Sequence, residues 1–319
     1  MKTNKKLTEE HMAVIREMFL NGSSYDQISD FMEKEYDLRI NKDTIRWHAV
    51  RKYKHQQHVN DTKQPNEKPS SGECDVLVLS DLHVPYQCDE VLDIVAKHSD
   101  AKVIVFNGDL VDCGEISKFC DLKTRSLIDE MMVAHEFLRA VDGAAPDAVK
   151  ILVTGNHEER WMKYMSKVDD RISPLHSSNI LQEIVNGFDY YDHKRNRHMS
   201  FSALDRYIVA DKWYYQIGDL IICHPTSFSK IECRTAANAA DYFKKIGKDF
   251  STVVVGHTHR QGEVLRNGIL AVEQGCLCKQ MDYTQKGNLS FSPWNVGYYL
   301  AHFDGNEKII WNKSRLYKL

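Results

Sequence analysis

No stretch of this 319-residue chain approaches the ~18 consecutive apolar residues that a membrane-spanning helix needs. The N-terminal MKTNKKLTEEH also lacks the apolar core of a secretory signal. The eight cysteines, at 74, 88, 113, 120, 223, 233, 276 and 278, include no Cys-x-x-Cys pair. A reduced, cytoplasmic setting with mostly free, buried thiols fits that pattern, and Cys276 and Cys278 read as core residues. Neither sign of charge dominates, with 42 Lys and Arg against 45 Asp and Glu. A net charge of −3 gives no global pull toward nucleic acid or an anionic membrane, so any attraction to a polyanion must come from a local patch. No internal repeat is present.

With 42% hydrophobic and 27% charged residues, the chain is long enough for about two globular domains, and it can bury a core without staples. Residues 1–55 read as three short helices. Thr8 caps the first, which carries Leu7, Val14, Ile15, Met18 and Phe19 on one side, and Asn21-Gly22 ends it. Ser24 and Gln27 have capping-box spacing and open a second helix with Ile28, Phe31 and Met32 inward. Asn41 caps a third, KDTIRWHAVRKYK. Residues 56–73 hold one aliphatic side chain, Val59, among Pro, Ser, Asn and Lys, and read as a linker.

From 74 to 319 the pattern alternates. DVLVLSD, KVIVFNGD, VKILVTGNH, DLIICHP, TVVVGHTH, ILAVEQG and GYYLAHFDG are short apolar runs of the kind buried strands show, with helical stretches such as EVLDIVAKH and 124–141 between the first ones. An α/β core is expected. Residues 160–215 are polar and aromatic and resist assignment.

The chemistry-bearing residues sit at the ends of the apolar runs. Asp81-Leu82-His83 follows the first, Asn107-Gly108-Asp109 ends the second, and Gly155-Asn156-His157-Glu158 ends the third. His224 ends DLIICH, and Gly256-His257-Thr258-His259 ends TVVVG. Ligands of α/β sheets bind at this carboxyl edge. Asp, Asn and His offer the oxygen and imidazole donors that suit Mn, Fe or Zn, and one carboxylate has two oxygens with which to bridge two cations. Each motif alone is common; five in order, each after an apolar strand, are not.

The ordered series D-x-H, G-D-x-x-D, G-N-H-E, H and G-H-x-H resembles the calcineurin-like metallophosphoesterase superfamily over roughly residues 74–319. The resemblance implies a β-sandwich of two mixed sheets flanked by helices. It also implies two divalent cations, manganese first, with iron, zinc or nickel as alternatives. Asp81, His83, Asp109 and His259 would hold one, and Asp109, Asn156, His224 and His257 the other. A metal-bridging hydroxide would attack phosphorus, with His157 assisting the leaving oxygen rather than ligating. Asp112 and Glu158 would orient histidines. Two departures stand out: His224 is followed by Pro225 rather than Gly, and Cys276 stands where Ser is usual.

The N-terminal helices resemble a helix-turn-helix module. Arg39, Lys42, Arg46, Arg51, Lys52 and Lys54 against Asp43 leave an excess of +5, a face able to contact phosphates. The connection YDLRI is longer than the usual tight turn, and a docking module remains the other reading. HisLysArgAsnArgHis at 193–198 reads as a solvated loop or a backbone grip, Arg160 as a surface ion pair or a phosphate contact, and the aromatics at 188–191 and 213–215 as core or stacking surfaces. Together these point to a phosphodiesterase or nuclease acting on DNA. The alternatives are a phosphomonoesterase for proteins or small molecules, and a non-catalytic DNA-binding regulator.

Overall fold

The computed structural model describes residues 7–20, 25–40, 72–118, 125–168, 176–193, 196–280 and 294–319. The chain divides into two compact units, 1–68 and 69–319. In the first, α1 (Glu9–Leu20) and α2 (Tyr25–Tyr36) enclose a small core of Ile15, Ile28, Met32, Leu38 and Ile40. Thr8 begins α1: its hydroxyl accepts the His11 N–H, and its own N–H donates to His11 Nδ1. Phe31 departs from expectation. It is 37% exposed, because the helix turns its inward stripe through Ile28 and Met32 and leaves Phe31 at the rim. The expected third helix, with Lys42, Arg46, Arg51 and Lys52, lies outside the described residues, as does most of the expected linker.

The second unit is a sandwich of two mixed sheets with helices outside. The six-stranded sheet has the order β13-β12-β1-β2-β3-β6. Its strands are β1 (Cys74–Leu79), β2 (Val103–Asn107), β3 (Val149–Val153), β6 (Tyr207–Val209), β12 (Gly297–Phe303) and β13 (Arg315–Lys318). The five-stranded sheet runs β10-β11-β9-β8-β7. It is built from β7 (Tyr214–Ile217), β8 (Leu220–Cys223), β9 (Thr252–Val255), β10 (Gln261–Arg266) and β11 (Ile269–Gln274). Strands β1, β2, β3 and β6 are parallel, as are β8, β9 and β11, while β12, β13, β10 and β7 pair antiparallel with their neighbours.

The two-residue period of a strand explains the apolar runs. On β1, Val76 and Val78 face the layer between the sheets, and so do Val103 and Val105 of β2 and Val254 of β9. Their neighbours Leu77, Leu79, Ile104 and Phe106 face outward onto α3 (Val91–Lys97), α4 (Leu127–Ala144) and α6 (Ile180–Asn186). On the other side Val253 and Val255 pack under Ala236, Ala239, Ala240 and Phe243 of α7 (Arg234–Lys245). Both faces of the inner strands β1, β2, β8 and β9 are covered, so little polar alternation survives there. The unassigned region holds α5 (Glu159–Met165), α6, the β4 (Phe188–Asp192)–β5 (Arg197–Phe201) hairpin and β6. Phe188 stacks on Phe201 at 4.6 Å, which makes that aromatic a packing residue. No helix of the described residues is long and apolar enough to cross a membrane.

Candidate metal centre

The turns that leave β1, β2, β3, β8 and β9 meet at one edge of the sandwich. They do so on unusual backbone. Asp81 (φ 53°), His83 (49°), Asp109 (49°), His257 (73°) and His259 (54°) are all left-handed, a conformation costing roughly 1–3 kcal/mol each outside glycine. Strain of this size persists only where neighbours over-determine it. Here the His83 N–H donates to Asp109 O at 2.9 Å, the Asp81 N–H to Gly108 O at 3.2 Å, and the His257 N–H to the Asp81 carboxylate at 3.0 and 3.1 Å. The glycines permit close approach: a Cβ on Gly155 would fall 2.2 Å from Asp109 Oδ1, and one on Gly108 2.2 Å from His224 Nδ1.

Two groups of donor atoms result. His259 Nε2 lies 3.0 Å from Asp81 Oδ1 and 3.3 Å from His83 Nε2, and His83 Nε2 lies 3.9 Å from Asp109 Oδ2. On the other side of Asp109, the same Oδ2 lies 3.3 Å from His224 Nε2, and His257 completes a cluster with both. Asp109 therefore stands between the groups. His257 Nε2 and Asn156 Oδ1 are buried without a hydrogen-bond partner. Buried polar atoms are rarely left so, and His257 stands in one cluster with Asp109 and His224, a donor set that fits a cation. The residues present thus suit a pair of metal ions.

The electrostatics agree. Burial disfavours charge on His224, yet Asp109 and Asp81 outweigh it and push the ring up to about 10. His257, desolvated and facing His224, is driven down to about 4. Two buried carboxylates create a field that favours positive charge, as a bound cation would supply.

Around this core lie the supporting groups. Asp112 Oδ1 is 3.2 Å from both His83 Nδ1 and His157 Nδ1, so it fixes the orientation of both rings. The Asp112 carbonyl accepts from His157 Nδ1 at 2.7 Å and from Arg160 Nη1 at 2.9 Å. Nδ1 therefore carries the proton, and His157 Nε2 accepts from Arg160 Nη2 at 2.8 Å. Glu158 departs from its expected part as a histidine-orienting group. Its carboxylate accepts the backbone N–H groups of Asp109 (3.1 Å), Val111 (3.0 Å) and Gly155 (2.8 Å), tying two loops together. The reason is burial: 1% exposed, it lies beneath the loops rather than beside the rings.

One residue escaped the sequence reading. Cys278 is fully buried, as expected of a core thiol, but its sulfur also clusters with His83 and His259, all donor atoms within 4.8 Å of one another. The signal was the Cys-x-Cys alternation after the last motif, which puts two sulfurs near one strand end. Arg39 is exposed, 3.8 Å from Glu33, and belongs to the N-terminal unit.

Comparison with known proteins follows this geometry. Residues 75–261, more than half of the chain, match the family described as calcineurin-like phosphoesterase. A search of the curated proteins finds no match. Solved structures similar to it include vacuolar protein sorting 29 from Cryptosporidium parvum, at 13% identity, covering 78% of this chain and 98% of that one, with a TM-score of 0.38. A novel archaeal phosphodiesterase shares 14% identity over 77% of this chain and 99% of its own, with a TM-score of 0.37. A metallophosphoesterase from Sphaerobacter thermophilus shares 15% over 77% and 88%, with a TM-score of 0.37. With its matched segment spanning every strand-end motif from Asp81 to His259, the chain belongs to the calcineurin-like phosphoesterase family, whose members are metal-dependent phosphoester hydrolases.

Proposed function

We propose that the protein is a phosphodiesterase acting on nucleic acid, DNA first. The observation that carries the reading is the Asp109 carboxylate, standing between two donor groups with the His157–Arg160 pair beside it. Asp81, His83, Asp109 and His259 would hold one cation, and Asp109, Asn156, His224 and His257 the other. Bound cations supply Lewis acidity and lower the pKa of water. The chain's own residues do the rest. Asp112 holds His83 and His157 in fixed orientations. His157 Nε2 lies 3.8 Å from Asp109 Oδ2, within reach of a phosphate placed against that carboxylate. In the resting arrangement Arg160 caps Nε2. When Arg160 turns onto a phosphate oxygen, Nε2 is freed to take up a proton from water, which the facing Asp109 and Asp112 carboxylates favour, and to pass it to the leaving oxygen. The basic residues between 39 and 54 support a polyanionic substrate at the level of sequence.

His157→Asn is expected to lower the turnover number by about 10²–10⁴ while two equivalents of metal stay bound. Loss of a metal in that variant would make His157 a ligand, a role its place beside His83 and Asp109 also permits. The substrate class is tested by supplying divalent metal with bis-p-nitrophenyl phosphate, p-nitrophenyl phosphate, and single- and double-stranded DNA. Turnover of the diester and of DNA is expected. Turnover of the monoester alone would make the protein a phosphatase.

Manganese, iron, zinc and nickel all suit the mixed His, Asp and Asn set, but the Cys278 sulfur beside His83 and His259 favours iron or zinc at that position. Cobalt(II)-loaded protein is expected to show a near-ultraviolet sulfur-to-metal charge-transfer band. Cys278→Ser should lose that band and Cys276→Ser should keep it. A wild-type spectrum without the band rules out the sulfur as a donor.

A further inference from the structure

Beside the metal centre lies a cleft of about 550 Å³, within the range of small-molecule sites. Its walls are the loop that follows His224, the exposed side of α7, Trp213 and the start of α5; Thr226, Phe228, Asn238, Tyr242 and Glu159 are among the lining residues. The cleft and the metal centre share a border. Glu159 follows Glu158, Pro225 follows His224, and the Phe228 ring sits 5.2 Å from the His257 ring at 72°.

Two aromatic side chains here are unusually open. Phe228 is 55% exposed and Tyr242 45%. A large exposed apolar ring on a floppy loop would be unremarkable, but this loop is fastened. Arg260, next to His259 and itself 7% exposed, donates to the carbonyls of Ser229 (2.6 Å) and Lys230 (2.9 Å). Its Nε faces buried Glu273 at 3.4 Å, and the other Glu273 oxygen accepts the Thr235 N–H at 3.1 Å. The Thr235 hydroxyl in turn accepts the Ser229 N–H at 3.0 Å. Phe228 is thus presented at a set position by the strand ends that carry His259.

The charge of the cleft is equally specific. Among the described residues its lining contains no Lys, Arg or His, and the one charged group, Glu159, is 2.9 Å from Lys163. Such walls cannot neutralise phosphate, so they do not form a track for a polyanionic backbone. They offer ring faces, an amide and hydroxyls, which suit the faces and edges of an uncharged heterocycle.

We propose that this cleft is a nucleobase subsite, which seats the base next to the phosphate being cleaved. The inference rests on the phosphodiesterase reading and narrows it: the substrate is recognised through one base held beside the metals, with the rest of its backbone outside the cleft. Stacking on an aromatic platform contributes roughly tenfold per base.

The test compares two esters with one leaving group, thymidine 5′-(p-nitrophenyl phosphate) and methyl p-nitrophenyl phosphate, on the full-length, metal-loaded protein. Wild type should prefer the thymidine ester in kcat/KM by at least about tenfold. Phe228→Ala should lose most of that preference through KM, its kcat/KM for the thymidine ester falling toward that for the methyl ester, and Phe228→Trp should restore it. Equal effects on both esters, or no preference in wild type, would overturn the subsite. If neither ester is hydrolysed, the diester reading fails separately, and calorimetric titration still decides the cleft. AMP should bind tighter than ribose 5-phosphate to wild type and lose that advantage in Phe228→Ala. An unchanged AMP advantage, or none in wild type, would leave the cleft as a face for some other partner.

Discussion

Asp109→Ala should release at least one cation and lower diester hydrolysis by about three orders of magnitude or more. The Asp109 carboxylate reaches both donor groups and the His157 ring, whereas Asp81, 3.0 Å from His259 Nε2, approaches His224 Nε2 only at 3.9 Å. Asp109 Oδ2 is 3.3 Å from His224 Nε2, 3.8 Å from His157 Nε2 and 3.9 Å from His83 Nε2, while its Oδ1 accepts the His157 N–H at 2.9 Å. Alanine removes the shared carboxylate and the anchor of the His157 turn together. The left-handed backbone at φ 49° is also less favourable for alanine than for aspartate, so some loss of stability accompanies the variant. Asp109→Asn separates the two effects. It keeps an oxygen for the His157 N–H and tolerates the backbone, but it removes the charge. Metal analysis of both variants, with bis-p-nitrophenyl phosphate as substrate, reads the outcome. Wild-type-like turnover in either, at unchanged metal content, would remove Asp109 from between the cations.

Why the strand-end motifs were legible in sequence, and other parts were not, has a physical basis. Strands buried on both faces read as apolar runs, so Asp81, Asp109, Asn156, His224 and His257 announce themselves as donor residues within three positions of the end of each run. Periodicity cannot say which sheet a buried strand joins, because β1 and β9 carry the same apolar signature yet lie in different sheets. The sandwich therefore came from the family resemblance, and the layered cores bear it out. Cys278 was hidden because a buried thiol looks identical whether it packs or binds. Glu158 was misread because a carboxylate next to a histidine suggests an electrostatic partner. Its actual partners are backbone N–H groups, which every residue has and no sequence distinguishes. The cleft at Phe228 needed Arg260 and Glu273 to be seen meeting across the fold.

Glu158→Ala is the substitution expected to damage the fold most. The carboxylate, 1% exposed, is the common acceptor for the N–H groups of Asp109, Val111 and Gly155. Each buried N–H left without an acceptor costs about 1–3 kcal/mol, so three together should cost about 3–6 kcal/mol after some relaxation and water entry. For a unit of this size a kilocalorie shifts Tm by roughly 2–4 °C, which gives a fall of about 6–24 °C. Metal binding should weaken too, because two of those N–H groups belong to the turns that present Asp109 and Asn156. Glu158→Gln supplies the graded comparison. Its amide oxygen can keep either the Val111 bond or the Asp109–Gly155 pair, but its amide nitrogen then confronts the remaining N–H donors, so an intermediate Tm is expected. Calorimetry with and without divalent metal reads all three proteins. A Tm within about 2 °C of wild type for the alanine variant would mean that Glu158 does not hold these loops. A normal metal-induced rise in Tm would mean that the ligand turns stand without it.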